Sequence, residues 1–166
     1  MMRLGMPAGL NRAAMEHLAR TTIAAIAALY TAELCKLPNA YWAAITTLIV
    51  MQSTFGATLT FSGQRFVGTA VGALAGALLA ARFEPGVLVF GAGVFAIGVV
   101  CTLLHLDRPA SALAGVTLAL VLLVSRTEPA WAIAVHRFLE VSLGIGVALL
   151  ATKLWPERGM GTPETP

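Results

Sequence analysis

Charged residues are scarce in this sequence: only 11% of its 166 positions are Asp, Glu, Lys or Arg. A soluble domain carries about 25%, so water is excluded as the main solvent of the chain. Cysteine is scarcer still. Cys35 and Cys101 are too few for a disulfide framework, and both lie in or near apolar runs, where a thiol behaves as a small hydrophobe. The three histidines, His17, His105 and His136, are far apart and have no ligand-like neighbours, which argues against a metal site. His105 reads instead as part of a charged turn with Asp107 and Arg108. There is no P-loop, no H-E-x-x-H, no Cys-x-x-Cys and no Gly-x-Ser-x-Gly, so neither an enzyme nor a bound cofactor is expected. The net charge of +3 is spread over basic residues standing singly between apolar runs. No basic patch interleaved with aromatics is available to track a phosphate backbone, which excludes nucleic acid.

What is present is apolar. Hydrophobic residues make up 58% of the chain, and mean hydropathy is +0.82. Charge-free runs cover 21–32, 37–64, 66–81, 85–104, 109–125 and 141–152. A spanning helix needs about 20 mostly apolar residues. The expected fold is therefore all-α, a polytopic membrane protein with six transmembrane helices at 19–36, 39–55, 65–82, 86–104, 109–125 and 136–155. The length allows one domain. Residues 1–18 are expected to be a cytoplasmic or interfacial segment, 19–155 the six-helix domain, and 156–166 a disordered cytoplasmic tail. The stretch MPAGLNRAAMEHLAR reads as a surface helix feeding the first span. No clean A-x-A site follows the first apolar run, so an uncleaved start is expected.

Lys and Arg counting sets the orientation. With the N-terminus inside, Arg3, Arg12, Arg20, Arg65, Arg108, Lys153 and Arg158 face inward, and Lys36, Arg82, Arg126 and Arg137 face outward. That bias favours N-in and C-in. Tyr41, Trp42 and Trp131 would then mark the outer interface and Trp155 the inner one. Arg65 and Arg82 fence the third span as interfacial anchors, because an arginine at a helix centre is costly and one at the boundary can snorkel.

Gly68, Gly72 and Gly76 recur every fourth residue, placing three glycines on one helix face. In a membrane, small residues let helices approach closely, so another helix should lie on this ladder, from the same subunit or a second one. A 3+3 inverted repeat is also suggested. Pro38 is followed by Arg65-Phe66 and Pro109 by Arg137-Phe138 at nearly the same interval. Gly72 and Gly144 follow their arginines equally, and Ala-Leu-Leu-Ala follows in both halves. Three spans per half would invert the second half relative to the first, an architecture that sets a substrate site at the repeat interface.

The segment 41–80 becomes specific at Pro38, Tyr41-Trp42, Val50-Met51-Gln52 and Arg65-Phe66-Val67-Gly68-Thr69. With Arg137 and Leu154-Trp155-Pro156, these residues resemble the membrane domain of the fusaric acid resistance protein-like family, over roughly 15–157. That family includes aromatic acid exporters and is related to plant malate-activated anion channels. Ser53 departs from the pattern, since many relatives carry proline there, and the larger exporters carry two membrane halves with soluble domains. The resemblance implies an inner-membrane transporter exporting organic anions such as aromatic carboxylates. Arg65 and Arg137 would then supply positive potential, and Gln52 and Thr69 would donate to a carboxylate. Glu33 and Glu140 are candidates for a proton relay, although each has a basic neighbour at helical spacing, Lys36 for Glu33 and His136 or Arg137 for Glu140. Membrane lipid and the anion are the expected partners, and the glycine face suggests a homodimer. The alternative is a non-transporting subunit or scaffold that packs through the ladder against a partner.

Overall fold

The computed structural model describes residues 12–124 and 129–156, and the chain is all-α. Its six helices are α1 (Arg12–Leu34), α2 (Tyr41–Val50), α3 (Phe55–Arg82), α4 (Val87–Leu103), α5 (Arg108–Leu123) and α6 (Ala130–Leu154). The N-terminal segment before residue 12, the connection at 125–128 and the tail from 157 lie outside the described residues, with Arg3, Arg126 and Arg158 among them.

Helix ends follow local chemistry. Lys36 and His105 take left-handed backbone, at φ 55° and 53°, just beyond α1 and α4. After α1, the Lys36 N–H donates to the Glu33 carbonyl and the Leu37 N–H to the Ala32 carbonyl; after α4, His105 and Leu106 donate to Thr102 and Cys101 in the same way. This is the Schellman arrangement, which satisfies carbonyls that a helix end leaves open. α2 stops where Met51 turns extended. α3 starts at once after it, because the Thr54 side chain accepts the Ala57 N–H at 3.3 Å as an N-cap.

These ends correct several boundaries, among them the starts of α1, at Arg12 for an expected 19, and of α6, at Ala130 for an expected 136, which sets Arg137 inside α6. The expected span 39–55 holds a helix only over Tyr41–Val50. The expected span 65–82 begins at Phe55, so Arg65 lies inside α3 and not at its end. Phe55–Arg82 and Ala130–Leu154 are long and apolar enough to cross a membrane, while α2, α4 and α5 are shorter apolar helices. At ~1.5 Å per residue α3 is about 42 Å long, more than the ~30 Å hydrocarbon core.

α3 lies at the centre, packed on α5 and antiparallel to α6; α2 lies against α6 and α1 against both. Among the described residues, every helix–helix contact has a counterpart when α1, α2 and α3 are exchanged with α4, α5 and α6. Buried positions match as well: Ala24, Ala28 and Ala32 line the inner face of α1 as Gly93, Ile97 and Cys101 line that of α4. Small residues make up much of the interior, with Leu118, Leu122 and Ile97 among the larger ones buried, and many large apolar residues point outward. Leu88 is 88% exposed, Phe95 74% and Leu103 73%, an arrangement suited to lipid.

The ladder faces α5 of the same chain. A Cβ on Gly72 would run into the Ala114 carbonyl and the Thr117 side chain; one on Gly144 would meet the Ala43 carbonyl and Thr46. Glycine is required at both positions by backbone approach. With α5 seated there, the ladder offers no face to a second subunit or to a scaffold partner.

Candidate functional site at the crossing of α3 and α6

Phe66 on α3 and Phe138 on α6 touch, with ring centroids 5.0 Å apart. Each follows an arginine, so the contact brings the Arg65 and Arg137 regions together, and Arg65 lies within electrostatic range of Arg137. Arg65 is not the interfacial anchor that the sequence suggests, and Arg137, expected to face outward at the start of the last span, is inside the bundle. Arg65 is 2% exposed and Arg137 6%.

The two differ in their partners. Arg137 Nη1 donates to Glu140 Oε2 at 3.2 Å, one helical turn along α6. Its guanidinium carbon lies 4.4 Å from the centroid of the Trp42 ring. Glu140, fully buried, also accepts the Asn39 backbone N–H at Oε1, at 3.0 Å. Arg65 has no ion pair among the described residues, and its Nε is buried without a hydrogen-bond partner. On the same face of α3, Ser62 and Thr69 are buried with hydroxyls lacking partners; on α2, so are the Thr46 hydroxyl and the Trp42 indole N–H.

Buried polar groups are nearly always paired, and an uncompensated buried cation costs several kcal/mol. An arginine lacking an anion, among hydroxyls lacking partners, is a chemical arrangement for receiving an anionic group. One turn further, an open apolar hollow of about 340 Å³ between α3 and α6 is lined by residues including Ala70, Ala73, Leu74, Trp131 and Phe138.

Two sequence candidates stand elsewhere. Gln52 follows α2, where its N–H donates to Thr58 Oγ1 at 3.0 Å and its carbonyl accepts Arg20 Nη2 at 2.7 Å. It belongs to a polar group at the end of the bundle where α1 begins and α6 ends. Glu33 is exposed in the last turn of α1 and is not part of the Arg137–Glu140 group. Sequence reasoning did not find Ser62, Thr46 and Asn39. Ser62 sits one turn before Arg65, a spacing visible in the sequence; Asn39 acts through its backbone, which no side-chain pattern reveals. Trp42, expected at an interface, lies against Arg137.

A family model described as fusaric acid resistance protein-like matches residues 23–151, from α1 to α6. No curated protein and no solved structure gives a significant match.

Proposed function

Since the chain belongs to the fusaric acid resistance protein-like family, membrane proteins associated with aromatic acid export, we propose that it moves organic anions such as aromatic carboxylates out across the inner membrane. The observation that carries this reading is Arg65: a buried guanidinium without a carboxylate partner, beside the unpartnered hydroxyls of Ser62 and Thr69. A carboxylate binds guanidinium in charge-assisted hydrogen bonds. The apolar hollow beside Phe138 gives room for an aromatic body.

Six spans with both termini inside complete the reading, supported by the inward excess of Lys and Arg. The two halves form an inverted repeat about the Phe66–Phe138 contact. The exchangeable helix contacts, the paired Schellman ends and the matched Gly72 and Gly144 approaches support it. A homodimer would have to form through a face other than the ladder, which α5 covers; chemical cross-linking in native membranes tests it, and a monomer-only pattern counts against it.

The decisive experiment is efflux from liposomes holding the purified protein and loaded with a small aromatic carboxylate, with and without a pH gradient. Flux above protein-free liposomes that drops in a folded Arg65→Gln variant supports the anion pathway. Pronounced pH-gradient dependence would indicate proton coupling and bring Glu140 into the cycle. No flux from a well-folded protein sinks the proposal.

A further inference from the structure

Arg65 and Arg137 occupy matched positions on α3 and α6, as do Phe66 and Phe138, and Gly72 and Gly144. At the position three residues after each arginine the match fails. α6 carries Glu140, which pairs with Arg137. α3 carries Gly68, which has no side chain to pair with Arg65. The buried group thus holds two guanidiniums and one carboxylate. Both Glu140 oxygens accept hydrogen bonds, from Arg137 and from the Asn39 N–H, the role of an ionised carboxylate. Of the neighbouring titratable groups, His136 lies within electrostatic range of Glu140 and is half-buried; Asp107 is exposed and accepts a hydrogen bond from Gln64 Nε2 at 2.9 Å.

We infer that Glu140 sets the charge of the anion the site accepts: by neutralising Arg137 it leaves one uncompensated guanidinium, Arg65, and so fits the site to a singly charged carboxylate and against a dianion. The inference rests on the anion-binding reading above and adds its specificity determinant. In a low-dielectric interior a net charge is expensive. A monoanion brings the group to neutrality, whereas a dianion leaves one excess negative charge.

The test uses the full chain in lipid nanodiscs with radiolabelled benzoate near neutral pH. Unlabelled competitors are neutral benzamide, singly charged 3-carbamoylbenzoate and doubly charged isophthalate; the last two match in size. In the wild type, 3-carbamoylbenzoate is expected to compete about tenfold better than isophthalate, and benzamide not at all. Glu140→Gln keeps an acceptor for the Asn39 N–H but removes the charge, so the preference closes or reverses by about tenfold. Adding Arg137→Gln to it returns the count to one cation and restores the monoanion preference, which a change of shape alone would not do. If Glu140→Gln does not fold, Arg137→Gln reads the count from the other side: the group becomes neutral and benzoate affinity falls about tenfold.

Equal competition by the two charged ligands in the wild type overturns the inference. So does an unchanged ratio in Glu140→Gln, unchanged affinity in Arg137→Gln, or no benzoate binding. Liposome flux separates the two readings. Selective binding without flux removes the transport reading and keeps the charge selection; flux of mono- and dianions alike does the reverse.

Discussion

Phe66 and Phe138 meet at 5.0 Å between ring centroids with planes inclined by 59°, and each is the residue after a buried arginine. This contact joins the two longest helices where their charged groups come together. Tilted aromatic pairs contribute about 0.5–1.5 kcal/mol beyond area burial. A double-mutant cycle with Phe66→Leu and Phe138→Leu, read by unfolding in mixed micelles, should give a coupling energy in that range. Strict additivity would show that the rings do not hold the crossing.

Gly72 and Gly144 should be intolerant of a single methyl group. Each presses on a backbone carbonyl, of Ala114 and Ala43 respectively, and overpacking costs about 1–3 kcal/mol. Gly63 on α3 and Gly146 on α6 have nothing within 4 Å of an added Cβ. Alanine there gains helix propensity of up to about 1 kcal/mol. The sign of the change in thermal stability should therefore differ between Gly72→Ala and Gly63→Ala on the same helix.

Breaking the buried ion pair from one side should cost more than removing it. Glu140→Ala strands Arg137 with no carboxylate and exposes the Asn39 N–H to an apolar surrounding. The expected loss is about 3–5 kcal/mol. Arg137→Met with Glu140→Leu should recover much of that. A double variant less stable than Glu140→Ala would contradict it.

Lys36 and His105 hold positive φ without being glycine. The left-handed conformation costs an L-residue roughly 1–2 kcal/mol, so Lys36→Gly and His105→Gly should each stabilise the protein by about 1 kcal/mol, and valine at either site should destabilise it. Differential scanning fluorimetry of the four variants reads the effect.

The number of helices and their order were legible from gaps between charges, because a chain in lipid places most charges at helix ends. The same rule misled at Arg65 and Arg137. It sets each at a helix boundary, and each is buried within a helix. Thr54, a good N-cap residue after the Gln52-Ser53 break, was the better signal for the start of α3. The Arg137–Glu140 pair could be read from helical spacing. That Arg65 lacks such a partner is visible only once the helices are assembled, since helical spacing says nothing of carboxylates distant in sequence. The seating of the ladder on α5 was equally beyond the sequence, which offered a helix of the same subunit or of a second one on equal terms.

Arg20 is 1% exposed and donates to the carbonyls of Gln52, at 2.7 Å, and Trp155, at 3.0 Å, the latter across 135 residues. Those acceptors lie after α2 and α6. During synthesis the first helix is made long before Trp155 exists. At 5–20 residues per second the delay is roughly ten seconds. For that interval a guanidinium destined for the bundle interior must be hosted by headgroups, by water or by the insertion machinery. α1 is therefore made before the other five helices and is among the last to be finished, and truncating the chain before Trp155 should leave a nascent protein whose α1 remains accessible to water-soluble labelling.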